Sequence, residues 1–97
     1  MVGAVSDIGK IEMSRIDYRK YSMTGKNMQW LRKVLYFTVS HLAAELDISL
    51  YTLHSIEKST KEVPEKIKIF LLKELNRSYG IGLYEQYLWK NLDEQNS

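Results

Sequence analysis

The side chains able to do chemistry are few and far apart along the chain. There is no cysteine and there are two histidines, His41 and His54. The missing thiol excludes a disulfide, a thiolate metal site and a cysteine nucleophile. Two histidines argue against a histidine-built zinc centre. Asp47, Ser49 and His54 supply the residue types of a nucleophilic triad. A triad also needs donors aimed at the developing oxyanion, and these three fall at a break between two short helical patterns. Neither GxxxxGK nor GxGxxG occurs, so no glycine-rich phosphate cradle is encoded. Gly80-Ile81-Gly82 reads as a helix exit, and Tyr79, Tyr84, Tyr87 and Trp89 as core or subunit contact rather than a ligand box. The chain is therefore expected to be no enzyme and to carry no metal or cofactor. What remains are groups that bind: Ser40, His41, Lys58 and Lys61 for anions, and Leu50, Tyr51, Thr52, His54 and Ser55 as a mixed polar and apolar set within six residues.

The apolar spacing supplies elements to carry them. The 97 residues are 44% hydrophobic and 27% charged, the composition of one folded domain. From Asn27 the pattern is helical, with Met28, Leu31 and Leu35 on one face and Phe37 at the end. Thr38 suits an N-cap, and Val39, Leu42, Ala43 and Leu46 form the stripe of a second helix. Asp47-Ile48-Ser49 interrupts it after two turns. Ser49 caps a third helix, Leu50 to about Lys58, with Leu53 and Ile56 inward. Residues 59–63 read as a loop. Pro64 suits the first turn of a fourth helix carrying Ile67, Leu71 and Leu75, which ends at Gly80. Leu83 to Leu92 forms a last short helix. The fold class is thus all-α, a small bundle of four to five short helices.

Residues 1–26 carry Gly3, Gly9 and Gly25 and no sustained period. The stretch Ile8 to Tyr21 fits a short strand, a ragged helix or an arm. The expected organisation is an N-terminal arm or short irregular segment 1–26, a helical domain 27–79, and a C-terminal helix 80–97 that caps the core or forms a dimer interface. The longest run without a charged side chain, Val34 to Ala44, is too short for a membrane span of about 20 residues. The N-terminus lacks the basic lead of a secretory signal, so a cytoplasmic protein is expected. Net charge is +2. Residues 1–30 hold five basic and three acidic side chains, 31–61 four and three, and 62–97 five and six. An anion-facing surface would lie in the first two thirds.

Two short helices joined by a three- or four-residue turn inside an all-helical bundle describe a helix-turn-helix, whose second helix can enter a DNA major groove. The stretch from Leu31 to Leu75 resembles the Cro/phage-repressor (XRE-type) helix-turn-helix family. Leu31-Arg32-Lys33, Phe37-Thr38, Leu42-Ala43, Leu46, Ile48-Ser49, Thr52-Leu53, Ile56-Glu57 and Pro64 carry the resemblance at the expected spacing. It implies a lambda-repressor-like fold with Arg32 and Glu57 as a structural ion pair. It places Leu50, Tyr51, Thr52, His54 and Ser55 on the recognition helix, Ser40 and His41 at phosphates, and Lys58 and Lys61 on the backbone side. Three positions depart from the family pattern. Val39 stands where glutamine is frequent, Asp47 where glycine is, and Leu50-Tyr51 where polar readers are common.

The function expected from this resemblance is a repressor-like transcriptional regulator that binds double-stranded DNA as a homodimer. Leu50 and Tyr51 sustain an alternative. The same fold could serve as an antirepressor- or antitoxin-like interaction module that holds a protein partner through the recognition helix.

Overall fold

A computed structural model describes residues 17–96. Within them are a 3-10 turn at Tyr18–Lys20 and five α-helices: α1 (Gly25–Val34), α2 (Val39–Leu46), α3 (Leu50–Lys58), α4 (Glu65–Ser78) and α5 (Gly82–Asn96). No strand occurs among the described residues; the one β-bridge pairs Thr24 with Glu62. The fold is all-α, as the apolar periodicity requires. No helix among the described residues is long and apolar enough to cross a membrane. The described chain divides into two compact units, 17–71 and 72–96.

In the first unit the helices start on hydroxyls. Thr24 caps α1 in a reciprocal box: its Oγ1 accepts from the Asn27 N–H at 3.4 Å, and Asn27 Oδ1 accepts from the Thr24 N–H at 3.0 Å. Thr38 caps α2 through the His41 N–H, and Ser49 caps α3 through the Thr52 N–H. Each cap satisfies a backbone donor that the helix itself leaves without a partner. The inward faces then meet in a core of Met28, Leu31, Leu42, Leu46, Leu53 and Leu71, all fully or almost fully buried.

Residues 21–24 form no helix or strand, yet they are packed into the unit. Tyr21 and Met23 are buried, and α1 begins at Gly25 rather than Asn27. The fastening is polar. Glu62 accepts from the Met23 N–H at 3.0 Å and from Ser22 Oγ at 3.2 Å. The buried Lys68 donates to Glu62 Oε2 at 2.9 Å and to the Tyr21 carbonyl at 3.1 Å. Val63 N–H closes on the Met23 carbonyl at 2.8 Å. The expectations for residues 1–16 lie outside the described residues.

In the second unit Leu72, Leu75, Ile81 and Tyr84 are buried. Helix α4 ends on Gly80, whose φ of 91° is one that side chains resist. The Gly80 N–H donates to the Leu75 carbonyl at 3.1 Å, and Asn76 Oδ1 accepts from the Ile81 N–H at 3.1 Å, turning the chain into α5. Tyr84 and Tyr87 stack with centroids 6.0 Å apart, whereas Tyr79 and Trp89 are exposed.

Gly25 opens α1 hard against the end of α3. A Cβ at Gly25 would stand 2.4 Å from the Ile56 carbonyl oxygen and 2.5 Å from that of Glu57, at the end of α3. Alanine normally stabilises a helix relative to glycine by about 1 kcal/mol. Here Gly25→Ala should instead cost about 1–3 kcal/mol, read from the urea midpoint, because backbone must move to admit the methyl; a gain in stability would contradict this contact.

Partial burial alone would raise the Glu62 carboxyl, but the hydrogen bonds from Lys68, Met23 and Ser22 and the Lys68 charge outweigh it and hold it below its ordinary value of 4.5. A depressed acid stabilises the fold above the unfolded value and loses that contribution as pH falls through the lower folded value. Melting temperature should therefore fall below about pH 4.5 more gently in Glu62→Gln than in the unaltered protein. Parallel curves would remove Glu62 from the acid response.

Candidate nucleic-acid interface

The α2–turn–α3 unit is closed by two local devices. Asp47 takes the left-handed conformation, φ 55° and ψ 47°. Its N–H bonds the Ala44 carbonyl at 3.2 Å and the Ile48 N–H bonds the Ala43 carbonyl at 3.0 Å. These two bonds satisfy the last carbonyls of α2 and stop it. Aspartate tolerates this region better than most non-glycine residues, so the helix stops here without a glycine. Ser49 then opens α3, and its Oγ also donates to Thr52 Oγ1 at 2.8 Å.

Helix α3 is held from behind by Arg32. Its Nε donates to Glu57 Oε2 at 2.6 Å and its Nη2 to Glu57 Oε1 at 3.3 Å, a forked pair joining α1 to α3. Its Nη1 donates to the Phe37 carbonyl at 3.0 Å, in the loop between α1 and α2. The two side chains are 10% and 6% exposed, so water does not compete for these bonds. One guanidinium thus ties together α1, α3 and the segment that leads into α2. The Phe37 carbonyl in this arrangement is not legible in the sequence, since it is a backbone atom in a loop.

With that side locked, the opposite side of α3 is free to meet a partner. The only fully buried side chain of α3 is Leu53. Tyr51, His54, Ser55 and Lys58 fall at i, i+3, i+4 and i+7, so they form one stripe, and all four are exposed. Leu50 is 46% and Tyr51 81% exposed. Thr52 is exposed too, but its hydroxyl is engaged with Ser49, so its role in the cap comes first. Lys61 is exposed in the loop after α3, where its N–H bonds Ser59 Oγ at 3.0 Å. Among the described residues no carboxylate forms an ion pair with Lys58 or Lys61.

Ser40 and His41 lie exposed on the first turn of α2. His41 is not idle there. Its ring meets Phe37 with centroids 4.9 Å apart, and Glu45 Oε1 lies 3.4 Å from its Nε2. An incoming phosphate would have to compete with Glu45 for that nitrogen. Residues 50–58 therefore share one helix, Lys61 follows it, and Ser40 and His41 occupy a separate element. Among the described residues no group of histidine, aspartate and glutamate is placed to hold a metal ion.

One exposed residue of this region has no sequence signal. Tyr36 follows the end of α1 with φ 62° and is 86% exposed. Leu35-Tyr36-Phe37 contains no glycine to mark the left-handed position.

Comparisons with family models, with curated proteins and with solved structures give no match for this chain.

The Arg32–Glu57 pair gives a quantitative expectation. Arg32→Ala and Glu57→Ala should each cost about 3–5 kcal/mol, because each leaves a buried charge without its partner. The double variant should cost less than the two losses added. A double-mutant cycle from denaturant titrations measures this, and additive losses below about 1 kcal/mol each would show a pair no stronger than a surface contact.

Proposed function

We propose that this chain is a repressor-like DNA-binding regulator that places α3 in the major groove of double-stranded DNA. The observation that carries this reading is the exposed stripe Tyr51, His54, Ser55 and Lys58, on a helix whose other side is fixed by Arg32 and Glu57. A recognition helix needs both properties: side chains directed outward, and a backbone that does not move when they meet base edges. Tyr51, His54 and Ser55 offer hydrogen-bonding groups to bases, and Leu50 can pack on a thymine methyl. Lys58, Lys61, Ser40 and the first turn of α2 meet phosphates, which position the helix without reading sequence. The resemblance of residues 31–75 to the Cro/phage-repressor family supports the same reading. One such unit buries little surface, so the chain is proposed to act in the cytoplasm as a homodimer on a two-fold site. The reading involves no catalysis and no cofactor.

A second reading rests on one observation. Leu50 and Tyr51 are large, exposed and adjacent at the start of α3. This suits a protein partner better than a base pair, and favours an antirepressor- or antitoxin-like module on the same fold.

Titration against a pool of random duplexes at several salt concentrations separates the two. On the DNA reading, affinity falls steeply with salt, and Lys58→Ala and Lys61→Ala each flatten the log–log slope by about one unit. Tyr51→Ala and His54→Ala alter which sequences are selected, with little change in slope. Binding of every duplex no tighter than about 10⁻⁴ to 10⁻⁶ M, with loss of a protein complex in Leu50→Asp, is the outcome that selects the second reading.

A further inference from the structure

Two carboxylates stand where α3 ends against α1, and both are engaged. Glu57 is buried against Arg32. Glu62 accepts from Lys68 Nζ, from the Met23 N–H and from Ser22 Oγ. Segments 22–30 and 56–64, which meet here, hold no other acidic residue. The next acid along the chain, Glu65, opens α4 beside Lys66. The same two segments hold three lysines, Lys26, Lys58 and Lys61, and all three are exposed. Among the described residues no carboxylate forms an ion pair with any of them. The acids of this region are thus matched by Arg32 from α1 and Lys68 from α4. Its own three lysines are left as a net positive surface.

Lys26 belongs to a different helix from Lys58, and the backbone of Gly25 brings the two together. A Cβ on Gly25 would lie 2.5 Å from the Glu57 carbonyl oxygen. Lys26 and Lys58 each follow one of these residues, so their Cα atoms are at most about 10 Å apart. Ser59 ties in the third lysine: its carbonyl accepts from the Gly25 N–H at 3.2 Å, and its Oγ from the Lys61 N–H at 3.0 Å. Local helix chemistry accounts for Lys58 but not for Lys26. Lys58 is in the last turn of α3, where the helix dipole favours a cation. Lys26 is in the first turn of α1, where the dipole favours an anion, and no acidic residue stands in that turn.

We infer that Lys26 is a third phosphate contact, which carries the interface past the end of α3 onto the start of α1, with the backbone of the bound duplex as its ligand. The inference rests on the DNA reading proposed above. An ammonium at the positive end of a helix suits an anion, and the flexible lysine stem can bring its charge alongside those of Lys58 and Lys61. A phosphate contact carries no base information. It adds affinity and salt dependence and leaves sequence preference alone.

The test titrates the unaltered chain, Lys26→Ala, Lys26→Glu, Lys58→Ala and Lys90→Ala against the random duplex pool from low to moderate salt. Lys90 is exposed on α5 and stands outside the proposed contacts, so its variant removes the same charge as a control. Lys26→Ala should weaken binding to all duplexes alike and flatten the log–log salt slope by about one unit, as Lys58→Ala does. Lys90→Ala should leave the slope unchanged. Lys26→Glu should bind more weakly still, with a melting temperature at or above that of the unaltered protein, because an acid in the first turn suits the dipole. A variant that keeps its stability and loses binding cannot owe the loss to unfolding. If Lys26→Ala keeps the unaltered slope while Lys58→Ala flattens it, the inference is overturned and the DNA reading stands. Equal flattening by Lys26→Ala and Lys90→Ala overturns it as well, since net charge alone would then account for the change. If the unaltered protein binds no duplex above the non-specific level, the DNA reading itself fails and takes this contact with it.

Discussion

Arg32 sets the geometry on which the rest of the first unit depends. Helix α3 is nine residues long, too short to persist in water unaided, and Leu53 is its only fully buried side chain. Apolar contact alone would hold such a helix against the unit while leaving it room to rotate about its axis. The forked bond between Arg32 and Glu57 removes that freedom, since both guanidinium edges and both carboxylate oxygens are directional. The same guanidinium holds the Phe37 carbonyl, so the path into α2 is fixed along with the roll of α3. Burial makes the arrangement demanding: with the two side chains 10% and 6% exposed, neither charge has water to fall back on. The face that α3 presents outward follows from which side of it is held inward.

A second polar fastening works at the other edge of the unit. Glu62 and Lys68 hold residues 21–23 against the loop before α4, and the Thr24–Glu62 bridge lies beside them. That places Gly25 directly on the end of α3, where its lack of a side chain allows the Ile56 and Glu57 carbonyls to approach. The Gly25 N–H meets the Ser59 carbonyl at 3.2 Å, so a donor at the start of α1 meets an acceptor just past the end of α3. The C-terminal end of α3 is thus restrained by Gly25 as well as by Glu57, and both restraints act on the side opposite Tyr51, His54 and Lys58.

What the sequence makes legible is what is local. Helices α2 and α3 have the bounds expected from their stripes because Thr38 and Ser49 are caps three residues from the N–H groups they bind. The bounds of α4 follow in the same way from Pro64 and Gly80. The start of α1 is less legible, because its box uses asparagine where glutamate or glutamine is the usual signal. The burial of Tyr21 and Met23 depends on partners 39 and 47 residues away, which no short-range pattern encodes. Tyr36 is invisible for a different reason. A left-handed turn is normally announced by glycine, and here the conformation is imposed by the bonds around it. Within the candidate interface, exposure of residues 50, 51, 54, 55 and 58 is readable from helical periodicity. The competition of Glu45 with any phosphate at His41 and the engagement of Thr52 with Ser49 emerge only from the folded geometry.

On the proposed function, the outward face of α3 is the surface that meets DNA. The most direct measurement is an amide chemical-shift titration of the full chain with a random-sequence duplex at low salt. Contact through α3 should give progressive shifts at residues 50–58, at Ser40 and His41, and at Lys61, with small changes along α5, and reversal of those shifts on adding salt. Shifts confined to residues 82–96, or none beyond those caused by salt alone, would contradict it.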